Sequence, residues 1–156
     1  MKEVLDDLSE LVLAKNATIH IDDLPHCLAH ASQMRQLFQN LIANALKFSK
    51  PGTEPIIRVT HELVAGSLVP EARPAERENV FHRICVKDNG IGFDERYLEK
   101  IFVIFQRLNG RDAYGGTGIG LAVCKRIVTN HQGYITARSG EGQGATFIIC
   151  LPAADL

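Results

Sequence analysis

Several features are missing from this chain of 156 residues, and each absence narrows its role. No apolar stretch reaches the ~20 residues that span a bilayer, and the N-terminus lacks a signal-peptide pattern. No long basic run occurs and the formal net charge is −1. General binding to nucleic acid or to a membrane surface therefore has no electrostatic support. The four cysteines, Cys27, Cys85, Cys124 and Cys150, form no CxxC pair and sit in apparent helices and strands. They read as free thiols of a reducing cytosol, which makes the expected location cytoplasmic. Metal-ligand spacing is also missing, which argues against zinc. No internal repeat is evident. The glycine-rich run at 115–120 is not closed by a lysine followed by Ser or Thr, so it is not a Walker loop.

What is present is the composition of a folded domain: 46% of residues are hydrophobic, enough for one domain with a real core. Residues 4–13 carry Val4, Leu5, Leu8, Leu11 and Val12 near helical spacing and predict one short amphipathic helix. Its abrupt start suggests that Met1 begins a fragment of a longer protein. Residues 18–21 alternate like a strand. Residues 31–48 form the longest helical candidate, with an apolar stripe of Met34, Leu37, Phe38, Leu41, Ile42, Ala45 and Phe48. Lys50-Pro51-Gly52 ends it. Strands are expected at 56–61 and 80–87, joined by a long exposed hairpin loop at 66–79. A mixed segment at 93–114 precedes a second helix expected at 117–130. Strands at 134–139 and 145–151 close the chain. This order predicts an α+β, two-layer sandwich with helices on one face of a mixed sheet.

Four local patterns carry chemistry. The run Gly115-Gly116-Thr117-Gly118-Ile119-Gly120-Leu121 feeds a helix start, where backbone N–H groups and the helix dipole favour an anion such as phosphate. Asn40, Asn44 and Lys47 fall at i, i+4 and i+7, on one helix face. An amide oxygen suits Mg²⁺ and a lysine suits phosphate, although a solvated polar face explains the same spacing. Asp88-Asn89-Gly90-Ile91-Gly92-Phe93 follows an apolar strand. Asp88 shares phase with Ile84 and Val86, so its carboxylate should face the core and need a donor. The exocyclic amine of adenine is one candidate donor; an ordinary turn is the plainer alternative. Finally, the segment 140–147 is a glycine-rich hairpin in which Thr146 would offer a hydroxyl near a base held by Asp88.

In this order the segments resemble the ATP-binding catalytic domain of sensor histidine kinases, within the group shared with gyrase, mismatch-repair ATPases and the heat-shock chaperone ATPase. Residues 36–48 resemble the N box, 88–93 the G1 box, 101–105 the F box and 116–121 the G2 box. Residues 140–147 resemble the glycine-rich segment that follows. Phe105-Gln106-Arg107-Leu108 with Gly110-Arg111-Asp112 is similar to phytochrome-like and PAS-linked kinases. The resemblance implies a Bergerat-type sandwich. Asp88 would bind the adenine amine, with Gly90 and Gly92 shaping that wall. Asn44 would coordinate Mg²⁺ with Asn40 beside it, and Lys47 would meet the phosphates of ATP. Phe102 and Phe105 would anchor a mobile lid. Gly116, Gly118 and Gly120, with Thr117 and Leu121 in the same box, would let the lid's end and the next helix approach phosphate. Arg107 and Arg111 are candidate lid cations, equally open to a solvated role.

The same resemblance divides kinase from hydrolase. In the hydrolase relatives a glutamate one turn before the metal-binding asparagine activates water. Asn40 stands there in this chain and cannot act as a base at neutral pH. The expected reaction is phosphoryl transfer to a histidine on a separate helical dimerisation domain, and indirectly to a response-regulator receiver domain. Residues 1–14 would be the end of the linker helix from that domain, and 15–156 the catalytic domain. The parent would be a homodimer and this fragment a monomer. His61-Glu62-Leu63 mimics the acceptor motif, but its next proline, Pro70, is too distant. Ala29-His30-Ala31, Val103-Ile104 and the long 66–79 loop depart from the family pattern. An anti-sigma or serine-kinase-type regulator is the alternative, against which Asn40 argues. A degenerate binding module is a third, against which Asn44, Asp88 and the glycines argue.

Overall fold

The computed structural model describes residues 1–104 and 117–153. In chain order its main elements are α1 (Lys2–Asp7), α2 (Ser9–Ala14), β1 (Thr18–Ile21), α3 (Ala31–Lys47), β2 (Ile56–Ala65), β3 (Val80–Asp88), α4 (Leu98–Ile101), α5 (Gly120–Asn130), β4 (Tyr134–Ser139) and β5 (Ala145–Pro152). The strands form one mixed sheet in the order β1-β2-β3-β5-β4. β1 and β2 are parallel, joined through α3 as a parallel pair requires. The remaining pairings are antiparallel.

Alternation decides the faces of the sheet. Ile57 and Val59 on β2, Ile84 and Val86 on β3, and Phe147 and Ile149 on β5 are buried against the helices. The α3 stripe meets them with Leu37, Phe38, Leu41, Ile42, Ala45 and Leu46. α5 adds Cys124, Ile127 and Val128. Each fully covered Leu or Ile contributes about 1.5–3 kcal/mol relative to exposure.

The expected sandwich is present, with differences that have physical causes. The helix expected over 4–13 is two helices broken at Leu8, whose ψ of 3° leaves the helical region. Val4 and Leu8 are both buried in the main core. The second helix begins at Gly120 rather than 117, because Gly118 takes a left-handed φ of 71°. β2 runs on to Ala65, past the expected 61. The 66–79 segment is no plain exposed loop. It contains two short 3₁₀ turns, Gly66–Leu68 and Pro74–Glu76, and folds over the back of the sheet. There Val69 and Ala72 cover Val64, Phe81 and Cys150 in a second cluster. Cys27 is exposed outside any helix or strand, unlike the other three cysteines. Among the described residues no helix is long and apolar enough to cross a membrane.

Candidate functional site

The site gathers at the end of the sheet where β3 stops. Asp88, the last residue of β3, pairs with Ile57 across β2 and so lies on the helix-facing side, as its phase with Val86 requires. Its half-buried carboxylate already has two protein donors. Oδ1 accepts the Gly90 N–H at 2.8 Å and the Ala145 N–H at 3.2 Å. Burial pushes the Asp88 pKa up from its ordinary value, and these two N–H groups pull it part of the way back. Both bonds end on Oδ1, so among the described residues Oδ2 is left to accept from a ligand.

The turn after Asp88 is locked on every side. The Ile56 N–H donates to Asn89 Oδ1 at 2.8 Å, and Asn89 Nδ2 donates to Glu54 O at 3.1 Å. The Ile91 N–H donates to Phe48 O at 2.9 Å, tying the turn to the end of α3. Gly92 adopts φ +64° and Gly144 φ +80°. A Cβ on Gly92 would overlap the Gly140 carbonyl, and one on Gly144 the Asp88 carbonyl. Only glycine permits both the left-handed backbone and this close approach of two loops. Ser139 completes the contact: its Oγ accepts from the Phe93 N–H and donates to Gly144 O, each at 2.8 Å.

α3 runs beside the start of α5. Asn40 Nδ2 donates to Gly120 O at 3.4 Å, linking α3 to the first turn of α5. Asn44 is half-buried one turn further on, and the Lys47 ammonium sits 4.8 Å from the Phe48 ring centroid. Phe102 is buried edge-on against Phe147 at 6.4 Å, with Lys125 Nζ 5.8 Å from its ring centroid. Thr117 is exposed; Gly118, Gly120 and Leu121 are half-covered at the start of α5. Phe105, Arg107, Arg111 and Gly116 lie outside the described residues.

One expectation fails on register. Thr146 pairs with Lys87, whereas Phe147 pairs with Val86 on the core side. Opposed residues share a face and successive residues alternate. Thr146 therefore lies on the face away from Asp88, and Ala145 is the neighbour that meets its carboxylate, through the backbone.

Two local arrangements are therefore fixed: the Asp88 carboxylate held by the Gly90 and Ala145 N–H groups, and the Asn40 amide bonded to the start of α5. Across residues 29–155 the sequence matches the family of histidine kinase-, DNA gyrase B- and HSP90-like ATPases. The chain belongs to this family. Over 157 residues it is 39% identical to phytochrome-like protein Cph1 of Synechocystis sp., covering 97% of this chain and 19% of Cph1. The chain thus spans about a fifth of that relative's length. Full-length ShkA in complex with AMPPNP is similar at TM-score 0.72 and 25% identity, over 99% of this chain and 30% of ShkA. The nucleotide-free catalytic domain of histidine kinase ThkA is similar at TM-score 0.70 and 25% identity, over 97% of this chain and 90% of ThkA's.

Within this ATPase family fold, sequence reasoning missed Asn89, Ser139 and Ala145. Asn89 follows Asp88 directly and was visible as a turn former. Ser139 and the Ala145 N–H carried no local signal. His61, which mimics the start of an acceptor motif, has its ring nitrogen 3.0 Å from that of His82.

Proposed function

We propose that this domain binds Mg-ATP in the cytoplasm and donates the γ-phosphoryl group to a histidine on a separate helical dimerisation domain of a two-component signalling protein. The observation that carries this reading is Asn40. Its amide stands where a hydrolase relative would hold a glutamate, and it is engaged as a donor to Gly120 O. An amide cannot accept a proton from water at neutral pH, so no base stands at that position.

The remaining residues suit the donor half of such a transfer. Asp88 Oδ2 would accept the adenine amine, its orientation held by the bonds on Oδ1. Lys47 would meet the phosphates, and the start of α5 would add backbone N–H groups and the helix dipole. Magnesium follows from the family resemblance: the Asn44 amide oxygen would be one hard ligand, with phosphate oxygens and water completing the shell. When bound, the ion would neutralise charge on the phosphate oxygens. In the transfer, the bond from the γ-phosphorus to its bridging oxygen breaks, a bond to the acceptor imidazole nitrogen forms, and ADP leaves. The protein's share is positioning, so the acceptor can come from another domain.

The implied partners are the upstream helical domain and, through its phosphohistidine, a response-regulator receiver domain; no nucleic acid is implied. The kinase that carries this domain would be a homodimer, and the domain by itself a monomer. The test supplies the natural upstream domain with labelled ATP and Mg²⁺. Acid-labile label on that domain is the expected result. Steady phosphate release by this domain alone, with an unlabelled partner, would favour a hydrolase. Separately, Asp88→Ala should abolish ATP binding by calorimetry while the melting transition persists. Unchanged affinity in that folded variant would refute the adenine assignment.

A further inference from the structure

We propose that Ser139 is a positioning residue for the Asp88 carboxylate, acting through the single peptide group that joins Gly144 to Ala145. Ser139 ends β4 and Ala145 begins β5, and the two are register partners across the hairpin. The Ser139 hydroxyl donates to Gly144 O at 2.8 Å. That carbonyl belongs to the same planar peptide as the Ala145 N–H, which in a trans unit points the opposite way. The Ala145 N–H donates to Asp88 Oδ1 at 3.2 Å. Hydroxyl and carboxylate therefore grip the two sides of one rigid plate.

The chain of bonds extends one step further back. Ser139 Oγ accepts the Phe93 N–H at 2.8 Å, so the turn that follows Asp88 returns to the same hydroxyl. The sequence Phe93 N–H, Oγ–H, peptide plate, Oδ1 runs in one sense, and each bond polarises the next. Ser139 is itself held in place, because its N–H donates to Glu95 Oε1 at 2.9 Å. With the Gly90 N–H also on Oδ1 at 2.8 Å, the described donors fix that oxygen, and Oδ2 is the one a ligand would use. Removing the hydroxyl leaves the plate free to tilt and the Phe93 N–H without its acceptor. The effect should fall on whatever bonds to Asp88, and only weakly on the rest of a nucleotide.

This inference rests on the reading of Asp88 as acceptor for the adenine amine, and the experiment separates the two. Calorimetry compares Mg-ATP with Mg-purine riboside triphosphate, which lacks the 6-amino group, on this chain and its variants. The unsubstituted chain should prefer ATP by about tenfold. Ser139→Ala should lose about tenfold in ATP affinity and less than about twofold for the analogue, and Ser139→Thr, which keeps a hydroxyl, should restore the preference. No preference in the unsubstituted chain overturns the Asp88 reading and this inference with it. A preference that survives in Ser139→Ala overturns the Ser139 role alone. Equal losses for both nucleotides mean that Ser139 only braces the hairpin, which also overturns it. Should Ser139→Ala not fold, Ser139→Cys gives the same comparison with a weaker donor and acceptor. A reduced preference supports the role and a full one overturns it.

Discussion

Asp88 concentrates the physics of the site in one side chain. Burial disfavours its ionised form, while two backbone N–H groups favour it, and the balance lies on the raised side. A raised carboxylate pKa means that folding favours the protonated form, so the contribution of Asp88 to stability declines as pH rises through its folded midpoint. The ¹³C resonance of its carboxyl should titrate above the ordinary value of 3.8 in the free chain. Added ATP should move the midpoint down, since an amine donor stabilises the ionised form. A free-chain midpoint at or below 3.8 would contradict this account. Asp88 was legible in the sequence because strand alternation alone put it in phase with Ile84 and Val86. Ser139 was not, because its value lies in partners such as Phe93, 46 residues away in the chain. Thr146 was misread for a related reason: choosing between Thr146 and Ala145 needs the register against Lys87, which one strand cannot supply.

Among the elements, α1 is held to the rest of the fold by apolar and charged contacts together. Periodicity marked residues 4–13 as amphipathic without saying what the apolar side would meet. Val4 and Leu8 are 2% and 8% exposed, as deeply placed as the strand core. The Arg35 guanidinium on α3 forks onto Asp7 at 2.7–2.9 Å and reaches Glu3 at 3.0 Å. These charges are partly to largely solvated, and water screens such pairs. The apolar contact decides the docking. Leu8→Ala should lower unfolding free energy by about 2–4 kcal/mol in urea titrations, and Arg35→Ala by clearly less. Comparable effects of the two substitutions would show that charge carries the contact. α3 and the strands were legible because each shows a clean period over enough residues. The start of α5 was not, since the left-handed Gly118 interrupts a pattern that hydrophobicity alone would extend.

At the scale of the whole molecule, helices cover one face of the sheet and the 66–79 segment covers part of the other, where an acid pins it. The Glu76 side chain is 12% exposed; it accepts from Arg73 at 2.5 Å and from the Tyr134 hydroxyl. The Arg73 bond first, then that of Tyr134, holds the Glu76 pKa down at about 2 against an ordinary 4.5. A depressed carboxylate contributes stability that is present above about pH 4.5 and lost as pH falls toward about 2. Glu76→Gln should therefore flatten the acid limb of stability over that window, measured as urea midpoints against pH. An unchanged limb would remove Glu76 from the account. The hydrogen bond from Ala145 to Asp88 has a consequence of a different kind. It joins positions 57 residues apart, and β5 must enter the sheet before it exists. The β2–β3 hairpin is a local structure that can assemble early; the wall around Asp88 is a late, long-range closure. A nucleotide that needs this wall has nothing to hold in a half-built chain. It should slow unfolding and leave the folding rate untouched, acting as a kinetic lock on the finished molecule.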